Sequence, residues 1–187
     1  MDEGAATGAG LEAALSSMPE SVATKEATMG AKAEALAKQF EAKAHEATGV
    51  FEKLSDADWK KVTSAEKWSV GVVAHHVASA HEGIAGLIKT AAAGQSVPNF
   101  TMDMLHAMNA KHAQDFANCT KAETLALHRK NAASAAATVR GLDDAQLGRS
   151  GTILTGMPPM SAEQVISGIL INHIDEHLGS IRATVRG

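Results

Sequence analysis

The sequence predicts an all-α fold: an antiparallel four-helix bundle of four main helices, with the 102–118 segment either a short fifth helix or a continuation. Three observations carry this. Alanine is abundant, which favours helix. Apolar residues recur at steps of three and four through several long stretches. No run alternates apolar and polar residues between turn signals. "SGTILTG" at 150–156 is the only short β-like piece, and alone it has nothing to pair with.

Residues 1–20 are rich in Gly, Ala and Ser and read as a flexible N-terminal tail, leaving 21–187 as one bundle domain. The start lacks the basic and apolar regions of a secretory signal. Residues 24–54 contain no proline, and Leu36, Phe40, Ala44 and Phe51 give a helical stripe, the first helix. "LSDADWKKVTSAEKW" then breaks the period and reads as a loop, with Ser55 or Asp56 capping a short turn. Ser69 is the N-cap of a second helix over 70–93, which Gly94, Pro98 and Asn99 end. Thr101 caps a third segment over 102–118, where Leu105, Met108, His112 and Phe116 share a face. Thr120, with Glu123 three residues on, forms a capping box for a fourth over 121–141. A Gly- and Pro-rich loop follows. Ser161 and Gln164 form the capping box of the last helix, 162–185.

A length of 187 residues fits one domain with a full core. The net charge of −4, with mixed signs, argues against a nucleic-acid surface. No apolar run is long enough to span a membrane. Cys119 is the single cysteine, so no internal disulfide forms; this fits a reducing, cytoplasmic setting. It lies at a helix end just before the Thr120 cap and reads as structural.

Nine histidines remain to be placed. On the last helix the stripe runs through Ile166, Ile169 or Leu170, His173, His177, Ile181 and Val185, with Asp175 in water. His173 and His177 therefore face the core, where both ring nitrogens need partners. A metal ion meets that need, since imidazoles at i and i+4 bind one ion side by side. The bland alternative is two core histidines bonded to backbone or water. In the second helix, His76 falls within the stripe of Val72, Val73, Val77, Ala80 and Ile84, and His75 falls outside it. Three histidines from two helices, His76, His173 and His177, make an open divalent-metal site. His45 and His128 lie on charged helices and read as solvent-exposed. His81 reads as a pocket or surface residue, and His112 as a core or pocket group. His106 carries no signal.

Two motifs carry a family resemblance. "KWSVGVVAHHVASAH" resembles the start of the second helix in the DinB/YfiT-like superfamily of metal-binding four-helix bundles, with a histidine, His76, eight residues after Trp68. "HIDEHLGSI" resembles that superfamily's H-x-x-x-H-L-G-x-I near the end of the last helix, through His173, His177, Leu178, Gly179 and Ile181. The resemblance spans about residues 24–186. It implies a three-histidine site for zinc, nickel or iron. The superfamily includes hydrolases, thiol-dependent transferases and the metal-binding domain of mycothiol-dependent maleylpyruvate isomerases.

Two chemistries use such a site. Hydrolysis needs a water acidified by the ion. A transferase or isomerase instead needs a low-molecular-weight thiol held as thiolate. Glu176, at the edge of the His173 face, is the candidate general base. The rival class is a non-catalytic protein holding a metal or small ligand. The expected partner is a small-molecule substrate, and a homodimer is the oligomer to expect.

Overall fold

The computed structural model describes residues 30–186. The proposed tail, and residues 24–29 of the first helix, lie outside that range. Helix α1 is Ala31–Lys53 and is followed by a short α2, Asp56–Lys60. Ser55 caps α2, in a reciprocal box with Asp58, so Asp56 is not the cap. Helix α3 is Val70–Ala92, capped by Ser69. Helix α4 is Met102–Asp115, three residues shorter than expected, and it buries none of its residues. Helix α5 is Lys121–Arg140, opened by the Thr120–Glu123 box, and a short α6 spans Asp144–Gly148. The last helix has three parts: α7, Ala162–Val165; a π-helical turn, Ile166–Ile171; and α8, Asn172–Arg186.

The two long helices adjacent in sequence, α1 and α3, are not neighbours. Each packs on α5 and on the last helix, so they lie diagonally across the bundle. Phe40, Phe51, Ile88, Val139, Ile174 and Leu178 meet in the core between them.

The β-like piece does find a partner. Strand β1, Ser150–Gly151, pairs antiparallel with β2, Met160–Ser161. The 94–101 loop lies against the same segment: Val97 donates its N–H to the Thr152 carbonyl at 2.9 Å, and Thr155 to that of Phe100 at 2.7 Å. Gly151 is needed at this crossing, because a Cβ there would overlap the Gln95 carbonyl.

The π turn corrects the expected face of the last helix. The buried stripe is Ile166, Leu170, Ile174, Leu178 and Ile181. Three successive steps of four would each drift by about 40° on a helix of 3.6 residues per turn. The wider π turn absorbs part of that drift. Ile174 and Leu178 therefore hold the core positions expected of His173 and His177. The two histidines stand on the flank of the stripe, half-buried.

Candidate metal centre

Helices α3 and α8 bring three histidines together. His76, His173 and His177 each offer a ring nitrogen, and the three nitrogens lie within 4.8 Å of one another. His173 Nε2 stands 3.1 Å from His76 Nε2. Two nitrogens sharing one tetrahedral ion at about 2.1 Å would stand roughly 3.4 Å apart. That pair is thus close to the spacing one ion requires.

Burial sets the charge. It pushes the His76 imidazolium down to about 4, helped by the neighbouring His177 and His112 rings. It pushes His173 down to about 2, with His177, His76 and His81 adding to the effect. Both rings are neutral at pH 7, the form a metal ligand must have.

A residue that the sequence reading missed completes the arrangement. Glu66 lies in the turn between α2 and α3, which a Val62–Ser69 bridge closes. Lys67, with φ of 63°, turns the chain there. Glu66 accepts a hydrogen bond from His177 Nδ1 at 2.8 Å and from Ser180 Oγ at 2.6 Å. Burial pushes the Glu66 carboxyl up, but donors from Ser180, Thr63 and His177 outweigh this and hold it below its usual value. An ionised Glu66 keeps the proton on His177 Nδ1 and leaves Nε2 as a free lone pair. A carboxylate behind a histidine is the usual support for a metal-ligating ring. The donor set therefore fits a divalent ion: three imidazoles, two of them firmly neutral and one oriented by a carboxylate.

Aromatic groups wall the cluster. The Trp68 ring meets the His76 ring edge-on, with centroids 5.5 Å apart. On the outer side His112, from α4, lies 5.3 Å from the His76 ring. His75 points away from the triad. It stacks on Phe116 at 3.9 Å and lies 3.3 Å from His112 Nε2.

The other expected residues fall as follows. Glu176 does not join the cluster; its carboxylate is exposed and accepts from Asn172 Nδ2 at 2.8 Å. His128, expected in solvent, is fully buried, because it sits on the face of α5 turned to α1 and α3. His81 is fully buried as well, so it is not a surface residue. His45 and His106 are exposed. Cys119 is half-buried, and burial pushes its thiol up; its carbonyl accepts from the Trp59 indole at 3.0 Å. No helix among the described residues is long and apolar enough to cross a membrane.

Comparison with known proteins places this geometry. The family described as the mycothiol maleylpyruvate isomerase N-terminal domain matches residues 40–170. That segment holds His76 and ends before His173 and His177. Two crystal structures of mycothiol-dependent maleylpyruvate isomerase, one of them a histidine-to-alanine mutant, share the fold. Their TM-scores are 0.63 and 0.64, at 12% and 11% identity, with 80% of this chain covered. The chain spans 60% of the length of those isomerase chains. YfiT from Bacillus subtilis, described as a probable metal-dependent hydrolase with an unusual four-helix bundle topology, aligns with a TM-score of 0.64 at 19% identity. That alignment covers 84% of this chain and 86% of YfiT. No curated protein sequence matches the chain. At such identities the structural likeness is one of fold. The family match covers well over half of the chain, so this protein belongs to the mycothiol maleylpyruvate isomerase N-terminal domain family, among the DinB/YfiT-like four-helix bundles.

Proposed function

We propose that the chain is a metal-dependent enzyme whose His76, His173 and His177 hold one divalent ion, zinc, nickel or iron. The observation that supports this most directly is the triad itself: three ring nitrogens within 4.8 Å, with no carboxylate or thiol among the described residues as a fourth donor. A site with three protein donors leaves room for a reactant, as catalytic sites do and closed structural ones do not. The ion supplies acidification of the nucleophile that occupies the open position.

Family membership favours a low-molecular-weight thiol as that nucleophile, and hence transfer or isomerisation of a small substrate. Hydrolysis with water is the second reading. It is favoured by the likeness to YfiT, described as a probable metal-dependent hydrolase, over 84% of this chain and 86% of that one. In either case the chain's own residues do the same work. Glu66 keeps the His177 proton on Nδ1, and Trp68 packs edge-on against the His76 ring. Among the described residues, no carboxylate oxygen joins the three ring nitrogens as a ligand atom, and Glu66 touches the cluster only through His177 Nδ1.

His173→Ala tests the site. Tight zinc binding should be lost, because two imidazoles remain where three are needed. Helix content by circular dichroism should stay at the wild-type level, since Ile174 and Leu178 hold the core beside it. Zinc binding at wild-type affinity would end the proposal. Parallel assays of thiol transfer and ester or amide hydrolysis, with and without metal, then separate the two chemistries.

A further inference from the structure

The protons on a buried histidine pair can be assigned outward from its one fixed end. His81 and His128 are both fully buried and stand outside the triad. His128 Nε2 lies 2.9 Å from the Ala44 carbonyl oxygen. A carbonyl only accepts, so that nitrogen carries the proton. The neutral ring then has a bare lone pair on Nδ1. His81 Nε2 lies 3.2 Å from it and must donate. By the same rule His81 Nδ1 is an acceptor, and it is buried without a partner among the described residues. Phe40 meets the His81 ring edge-on at 5.2 Å and offers no donor there.

A second buried nitrogen lacks a partner among the described residues: His173 Nδ1. The other nitrogen of that ring, Nε2, points at His76 Nε2 at 3.1 Å. A ring that offers Nε2 to an ion carries its proton on Nδ1. The two unpartnered atoms are therefore complementary, one a donor and one an acceptor. Their rings lie on α3 and α8, which pack together, and His81 is near enough to disfavour charge on His173.

We infer that His81 is a positioning residue for the triad: its Nδ1 accepts the Nδ1 proton of His173 across one bridging water, since the two nitrogens make no direct hydrogen bond. A relay then runs from His173 through His81 and His128 to the Ala44 carbonyl. It does for His173 what Glu66 does for His177. It also assigns the 3.1 Å contact in the metal-free protein, where His76 donates and His173 accepts. This inference rests on the metal-site reading proposed above.

The test uses the full chain and zinc alone. Imidazole ¹⁵N spectra of the wild-type protein should show His128 and His81 protonated on Nε2, and His173 protonated on Nδ1, with and without zinc. His81→Phe should bind zinc 10–100-fold more weakly, the usual effect of removing a ligand's supporting partner. Its circular dichroism should match that of the wild type. His81 protonated on Nδ1, or His173 protonated on Nε2 in the metal-free protein, would overturn the relay. So would a folded His81→Phe that binds zinc within twofold of wild type while His76→Ala has lost it. Should His81→Phe not fold, the wild-type spectra decide. Wild-type zinc affinity in His76→Ala would instead sink the metal-site reading, and the relay with it.

Discussion

Glu66 shows how far a single side chain reaches beyond its own element. Its side chain is 13% exposed and bonds two residues of α8 at once. Removing it frees the His177 ring to rotate and to move its proton to Nε2. Glu66→Ala should therefore weaken zinc binding by about 10–100-fold. A competition titration against a chromophoric chelator would measure this, and unchanged affinity would show that the carboxylate plays no part in orienting the ring. Nothing near Glu66 in sequence marks it. It sits in a polar turn, and its partner lies 111 residues away. Glu176 is the reverse case. It stands at the edge of the His173 face and attracts notice for that reason, yet its place on α8 leaves its carboxylate in solvent with Asn172. The triad was legible because His173 and His177 stand four apart on one helix and His76 lies on a second, although the helical period placed the pair in the core and not on its flank. The carboxylate behind it depends on how a loop meets a distant helix, and no local pattern records that.

At the scale of elements, the helix starts were the most legible features. Thr120–Glu123 and Ser161–Gln164 form the expected reciprocal boxes, and Ser69 and Thr101 cap as expected. Caps are local chemistry, so a local reading finds them. The phase of the last helix was not legible. The strand pair was missed because β1 and β2 are two residues each, and the second lies across a proline-rich loop. Gly151 makes that pair testable. Its missing Cβ admits the Gln95 carbonyl, a backbone group that cannot turn aside as a flexible side chain could. Gly151→Ala should cost about 1–3 kcal/mol, the range for overpacking a tight contact. The expected reading is a lower urea midpoint with an unchanged slope. An unchanged midpoint would mean that the loop shifts without cost.

At the scale of the molecule, the diagonal placement of α1 and α3 puts α5 and the last helix at the other two corners, and buried histidines occupy the interior among all four. This interior explains why His128 was misread. Its own helix is rich in charges and alanines, and only the packing of α5 against α1 and α3 shows which face is inside. It also makes stability depend on pH. Burial pushes His81 down to about 3, with His128 adding to the effect, and His128 is itself lowered by burial. A histidine whose folded pKa lies below its unfolded value of about 6.5 stabilises the fold fully above 6.5. As pH falls below that, the unfolded chain takes up the proton first, and stability drains away toward pH 3. Each pH unit in this window costs about 1.4 kcal/mol for one such ring, so the passage from pH 7 to pH 5 costs about 2 kcal/mol. For a chain of this size that is a fall in Tm of roughly 4–8 °C. Glu66, Glu46 and Glu34 are held below the ordinary carboxylate value. Their contribution has the same sign but is lost only below about pH 4.5, outside the histidine window. Thermal melts of metal-free wild type and His81→Phe between pH 7 and pH 5 isolate the effect. The variant, with one fewer buried ring to protonate, should lose less Tm over that range. Parallel curves for the two proteins would mean that burial of His81 does not govern acid stability.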